Sequence, residues 1–324
     1  MKKLRVGVVG TGYLGKFHAE KYAQMADVNL VGVVDVDKEK ADKIAKKYGT
    51  NAFLSHKEIL DKVDAVSIVV PTVYHYEVAK DFLIKGVDVL IEKPMTTTLK
   101  EADKLLNYAE SRGLIIQVGH LERFNPVVTA LQGTLEDPMF IETHRLSLYN
   151  ERGTDVSVVL DLMIHDIDLI FNFVKSEIKN IYASGAPVIS EHVDIANARL
   201  EFENGCIANI TASRISIKNE RKIRLFQKNA YISVDFANHN ITIIRKNDNE
   251  QDGVIPGMEI KHMGFSQTDA LNDELLSFVR AVKNREEPEV TGKMGRDALN
   301  IALVTMEQIN RSNLSLKSLQ LKDS

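Results

Sequence analysis

Leu4-Arg5-Val6-Gly7-Val8-Val9-Gly10-Thr11-Gly12-Tyr13-Leu14-Gly15 is the stretch that decides the fold. A valine-rich run without polar alternation reads as a strand covered on both faces. It ends on a G-x-G-x-x-G that opens a segment carrying Leu14, Phe17, Tyr22 and Met25. In a strand–turn–helix of this kind each glycine has its own task. Gly10 makes the tight turn, Gly12 lets a pyrophosphate approach the backbone, and Gly15 packs helix against strand. Backbone N–H groups and the helix dipole then meet the anion. Three glycines alone are equally compatible with a plain turn and a close packing contact. The next strand adds context, because it ends at Asp35, twenty residues beyond Gly15. A carboxylate there accepts hydrogen bonds from adenosine ribose hydroxyls and repels a 2′-phosphate. Dinucleotide binding is the expectation. NAD is expected over NADP, since Val36 and Asp37 follow with no arginine or serine to receive a phosphate.

Outward from this motif, the chain to Val118 alternates short apolar runs with helix-period segments, which predicts a doubly wound α/β parallel sheet. Strands are expected at Leu4–Val9, Asn29–Val34, Ala52–Leu54, Ala65–Val70, Asp88–Ile91 and Ile115–Val118. Ser55 with Glu58, and Thr98 with Glu101, match capping boxes at helix starts. From Met139 to Arg245 the pattern turns to partial alternation, with Asn204-Gly205 as a tight hairpin between Ala198–Phe202 and Ile207–Ser213. Residues 246–253 read as a solvated loop, and helical periodicity resumes at Ala270–Lys283 and Lys293–Asn310. The expected boundary lies near His120–Asn125. It separates a dinucleotide-binding domain, residues 1–122, from an α+β substrate-binding and oligomerisation domain, residues 123–324.

The chain has 324 residues, enough for roughly two domains at about 150 residues each. With 44% hydrophobic and 27% charged residues it is an ordinary globular composition rather than a disordered one. Lys plus Arg number 41 against 45 Asp plus Glu, a net charge of -4, so no basic field draws the chain to nucleic acid or to an anionic membrane. The single cysteine, Cys206, can form no internal disulfide and fits a reducing, cytoplasmic setting. No apolar run approaches the ~20 residues of a membrane span, and the start of the chain lacks a signal-peptide core. A soluble, unexported protein is expected.

Two further places carry candidate chemistry. Glu92-Lys93-Pro94 follows the fifth strand, which would bring Lys93 to the carboxyl edge where ligands bind. A lysine is ordinarily just a solvated charge, but Pro94 constrains the backbone beside it. In the mostly apolar stretch Val156–Val174, Asp161, His165, Asp168 and Asn172 recur at helical spacing, with Asp166 off the stripe. They form either the one wet face of a buried helix or a site in which His165 is a general base oriented by Asp161. One Asp and one His are too few partners for zinc, so no metal is expected. Pro71 through His75 follow the fourth strand, where His75 would line the cofactor cleft or cap the next helix.

Together these motifs closely resemble the Gfo/Idh/MocA family of glucose-fructose oxidoreductase-like and inositol dehydrogenase-like enzymes, over nearly the whole chain. The resemblance implies a Rossmann domain followed by a domain with a large, open, mostly antiparallel sheet, whose face commonly builds homodimers or homotetramers. It implies a catalytic set of Lys93, Asp161 and His165. On the cofactor side it implies Gly10, Thr11, Gly12, Tyr13, Leu14, Gly15, Asp35, Pro71, Thr72, His75, Glu92 and Lys93. Gly119 through Pro126 are similar to a segment of members acting on nucleotide sugars. Arg123 and Asn125 would therefore bind substrate along with Lys93 and His165, unless Arg123 simply pairs with an acid at the domain junction. Arg145, Arg152 and Arg214 are either phosphate contacts or surface charges. The implied activity is NAD(P)-dependent hydride transfer at a secondary hydroxyl of a sugar or nucleotide sugar, a UDP-N-acetylhexosamine at its 3-position fitting best. Alternatives on the same scaffold are a dihydrodiol, biliverdin or imine-type reductase, or a dinucleotide-sensing binding protein without turnover.

Overall fold

The structure, a computed structural model, describes residues 2–131, 133–150, 156–247 and 255–320, with side chains as far as Asn313. In chain order the first elements are β1 (Leu4–Val9), α1 (Gly15–Gln24), β2 (Val28–Val34), α2 (Lys38–Tyr48), β3 (Asn51–Phe53) and β4 (Ala65–Ile68). Then come α3 (His75–Ile84), β5 (Asp88–Glu92), α4 (Leu99–Glu110), β6 (Ile116–Gly119) and α5 (Pro126–Leu131). After β7 (Phe140–Leu146), a π-helical turn at Val159–Met163 leads into α6 (Ile164–Phe173). The remaining strands are β8 (Ile178–Ala186), β9 (Ile195–Phe202), β10 (Ile207–Ser213), β11 (Glu220–Gln227), β12 (Ala230–Asp235), β13 (Asn240–Lys246) and β14 (Met258–Gly264). The helices α7 (Ala270–Asn284) and α8 (Gly292–Gln320) follow.

Contacts divide the chain into two units, Met1–Phe124 with Asp269–Leu299, and Asn125–Thr268 with Asn300–Ser324. The first is built on a six-stranded parallel sheet in the order β3-β2-β1-β4-β5-β6, the doubly wound order with its switch point between β1 and β4. Register aligns Val33, Val8, Ser67, Leu90 and Gln117 in one row across five strands. Val8, Val33 and Leu90 belong to a core that also takes Ala19 and Tyr22 from α1 and Leu275, Phe278 and Val279 from α7. Fully burying Phe278 contributes roughly 2–3 kcal/mol, so truncation to alanine would cost about 3–5.

The second unit holds an eight-stranded sheet in the order β14-β13-β12-β11-β7-β10-β9-β8, in which only β7 and β10 run parallel. Alternation along its strands buries one face, with Ile141, Ile210, Ile223, Leu225, Ile232 and Val234 fully enclosed. The other face is half-exposed and carries an apolar row, Ile260, Ile244, Tyr231, Phe226, Phe140 and Ile207, in register across six strands. Phe226 stacks on both sides, 5.9 Å from Phe140 and 5.0 Å from Tyr231 between ring centroids.

Several local expectations are adjusted. The box at Thr98 caps α4, whereas the one at Ser55 caps only a 3₁₀ turn, His56–Glu58. β4 ends at Ile68, two residues before the predicted limit. β14 lies beyond the predicted loop, and most of that loop, 248–253, is outside the described residues. Among the described residues no helix is long and apolar enough to cross a membrane.

Candidate active site

The turn after β1 is shaped by close approach. Gly10 has φ +95°, and a Cβ on it would lie 2.3 Å from the Val69 carbonyl oxygen. A Cβ on Gly15 would lie 1.8 Å from the Gly10 oxygen, so both positions are closed to larger residues by the protein itself. Gly12 is different, because a Cβ there would meet nothing within 4 Å. No protein atom closes this position to a larger residue, so the backbone here is open to a ligand. α1 begins with no side-chain cap and no acidic residue in its first turn, so no carboxylate there opposes an anion at the positive end of its dipole. These residues fit the pyrophosphate of a dinucleotide.

Asp35 closes this cradle. Its Oδ2 accepts from the Thr11 backbone N–H at 2.8 Å and the Thr11 hydroxyl at 2.7 Å, and its Oδ1 accepts from the Asp37 N–H at 3.0 Å. A carboxylate has about four lone-pair sites, so room remains for a ribose hydroxyl. Exposed Tyr13, Val36, Val73 and Tyr74 stand near the ends of β1, β2 and β4, offering apolar surface of the kind an adenine ring stacks on. Pro71 precedes the 3₁₀ turn Thr72–Tyr74, and His75 opens α3. The His75 ring is buried between two carbonyl oxygens, 2.8 Å from Val70 and 3.0 Å from Pro94. It ties the turn after β4 to the turn after β5, and burial pulls it below its ordinary value against the pull of those carbonyls.

Lys93 follows the last residue of β5 on the same carboxyl edge, and the Lys93–Pro94 bond is cis. Its neighbour Glu92 turns inward, with Oε1 3.2 Å from Nε2 of fully buried His18 on α1. Burial alone would raise the Glu92 carboxyl, but His18, Lys93 and His75 draw it below the usual glutamate range. A second acid, Glu274 on α7, is completely buried with neither carboxyl oxygen hydrogen-bonded. Burial, reinforced by the Glu92 charge, lifts it well above the usual range. Arg123 is buried in the 3₁₀ turn Leu121–Phe124.

In the second unit, Asp161 lies in the π-helical turn and His165 in the first turn of α6. The even 100° advance assumed for one continuous helix therefore fails between them, and a π turn of this kind is common at functional sites. Asp161 and His165 are half-exposed, whereas Asp168 is buried. Asn125 is buried and accepts from the Val127 N–H at 3.2 Å, at the start of α5. Arg145 and Arg214 prove not to be surface charges. Buried Arg145 makes a two-pronged pair with Asp166, at 2.8 and 3.1 Å. Buried Arg214 lies 3.3 Å from Asp194 and donates to the carbonyls of Val156 and Val193. Both thus hold the segment that carries Asp161 and His165. Arg152 lies outside the described residues. Among the described residues no group of three or more His, Cys, Asp or Glu is placed to hold a metal ion.

His18 and Glu274 were missed by motif reading, although a signal existed. Each stands on the buried stripe of its helix, His18 with Gly15, Ala19 and Tyr22, and Glu274 with Leu275 and Phe278. A titratable residue in phase with a core stripe is the mark that could have found them.

Comparison with known proteins agrees with this geometry. Residues 4–120 match the model described as oxidoreductase family, NAD-binding Rossmann fold, and residues 128–233 match the GFO/IDH/MocA C-terminal domain. UDP-N-acetylglucosamine 3-dehydrogenase of Acidithiobacillus ferrooxidans is 37% identical over 304 residues, covering 94% of this chain and 96% of that one. A solved structure of that enzyme superposes with TM-score 0.90 at 36% identity, over 95% of this chain and 98% of its own. Myo-inositol 2-dehydrogenase of Thermotoga maritima is 24% identical, over 91% of this chain and 93% of its own. With a strand–glycine–helix cradle at one edge and both family models matched in order, the chain belongs to the Gfo/Idh/MocA family of NAD-binding oxidoreductases.

Proposed function

We propose that this oxidoreductase is an NAD-dependent nucleotide-sugar dehydrogenase acting at the 3-hydroxyl of a UDP-N-acetylhexosamine. The observation that carries the reading is the likeness, over 94% of the chain, to the Acidithiobacillus ferrooxidans enzyme. The dinucleotide, held by Gly10 through Gly15, Asp35, Pro71, Thr72 and Glu92, supplies the hydride acceptor when bound. NAD is preferred to NADP because the Asp35 carboxylate repels a 2′-phosphate. His165 takes the proton from the reacting hydroxyl at an imidazole nitrogen, and Asp161 orients its ring. Lys93 faces the oxygen on which negative charge grows, and so favours the transition state over the bound alcohol. Arg123 and Asn125 hold substrate oxygens. In the reverse direction the same groups return the proton.

A panel of sugars and UDP-sugars assayed for NADH formation tests the reading, and turnover of inositols or free sugars alone would overturn the substrate assignment. Lys93→Met and His165→Ala should each lower kcat by ~10²-fold or more while NADH affinity stays within about threefold. We also infer a homodimer or homotetramer built on the half-exposed sheet face, since an apolar row across six strands is the kind of surface that pairing covers. Phe226→Glu should then lower the mass measured by light scattering. The reducing cytoplasm is the fitting compartment, because the lone Cys206 can form no internal disulfide.

A further inference from the structure

A polar seam runs through the first unit between the sheet and the helices α1 and α7. From α1 come His18 and Tyr22, from β4 Ser67, from β5 Glu92, from β6 Gln117 and from α7 Glu274. Tyr22 and Ser67 share a hydrogen bond at 2.8 Å, and the Gln117 amide donates to the Glu274 carbonyl at 3.0 Å. Around Glu92 the fit is tightest. His18 Nε2 stands 3.2 Å from one carboxylate oxygen, a close approach without hydrogen-bond geometry that leaves both ring nitrogens otherwise unpartnered. On the other side, a Cβ on Gly119, its partner in the β5–β6 ladder, would lie 2.9 Å from Oε2. An imidazole on one element thus stands against the carboxylate, and a glycine on another leaves the room it occupies.

Stability does not account for this arrangement. A buried polar contact is commonly no better than well-packed apolar residues of the same volume, because desolvation offsets the attraction. The seam moreover holds two acids and one histidine near them. Glu274 has no hydrogen-bond partner on its carboxyl and is held neutral by burial and by Glu92. The charge settles on Glu92, the acid that adjoins Lys93 in the chain.

We propose that His18 is a positioning residue of this site: by its contact with Glu92 it fixes the carboxylate that stands beside Lys93, and so fixes Lys93 itself. The proposal rests on the reading of Lys93 as a catalytic group. Other groups that bear on Glu92 are Lys93, His75 and Glu274.

The test compares His18→Leu, His18→Gln and Gly119→Ala in the full-length protein. His18→Leu should keep its melting temperature, yet lose about tenfold or more in kcat with KM for the sugar nearly unchanged. His18→Gln, which restores an N–H close to the Nε2 position, should recover most of that loss. Gly119→Ala crowds Glu92 at its carboxylate and its Cα without touching His18 and should repeat the kcat loss, which keeps the test decisive if His18→Leu does not fold. Infrared difference spectra supply an arm independent of turnover. Wild type should show one buried protonated carboxyl, absent in Glu274→Gln, and His18→Leu should show a second that disappears in His18→Leu with Glu92→Gln. Unchanged kcat with no second protonated carboxyl overturns the proposal, as does a loss that tracks melting temperature and is not rescued by glutamine. If wild type oxidises no sugar, the dehydrogenase reading falls and the infrared arm decides the His18 contact by itself.

Discussion

Asp35 does two things with one side chain, and its substitution should separate them. Its carboxylate anchors the glycine turn through Thr11 and, on the proposed reading, repels a 2′-phosphate. Asp35→Ser removes the repulsion, so the ratio of NADPH to NADH dissociation constants should fall by about tenfold or more. Loss of the Thr11 anchor should weaken NADH binding several-fold in the same variant. Fluorescence titration with both dinucleotides reads both effects, and an unchanged ratio would remove Asp35 as the discriminating residue.

The strand–turn–helix of β1 and α1 makes a sharper contrast, because its glycines exist for different reasons. Gly15→Ala drives a methyl into the Gly10 carbonyl and should cost on the order of 3 kcal/mol or more, read as a lowered melting temperature. Gly12→Ala meets no protein atom, so its stability should stay within about 0.5 kcal/mol while NADH affinity falls tenfold or more. This motif was fully legible because glycines, strand and acid are local. The six strands of the parallel sheet were legible for the same reason, each being a short apolar run between turn signals. What escaped depends on distant partners. The π turn at Val159–Met163 leaves no mark on an apolar stretch, and the burial of Arg145 and Arg214 follows from Asp166 and Asp194 meeting them through the fold. β14, Met258 through Gly264, alternates weakly because it is an edge strand with charged residues on it. The docking of α7 onto the first sheet has no signature in its own periodicity.

At the scale of the whole molecule, acid–base behaviour is governed by a few buried groups more than by the net charge of -4. Glu274 holds its proton in the folded state well above the value of 4.5 at which an unfolded glutamate releases it. Its favourable contribution is complete below pH 4.5 and declines as pH rises toward its folded value, by about 1.4 kcal/mol per pH unit. Glu274→Gln cannot ionise. Its stability relative to wild type should therefore rise with pH from pH 5 upward, as denaturant melts across pH would read, and a constant difference would mean that Glu274 is charged in the fold. The eight-stranded sheet has a consequence of another kind. Strands β8 to β10 and β11 to β14 are each successive antiparallel neighbours, and β7 alone joins the two sets. Since β7 is synthesised before either meander, it leaves the ribosome as a solitary ribbon with nothing to zip onto until β10 and β11 arrive. Its vulnerability to mispairing is thus confined to birth, and a slow or chaperone-assisted closure around this one seam is the price of the topology.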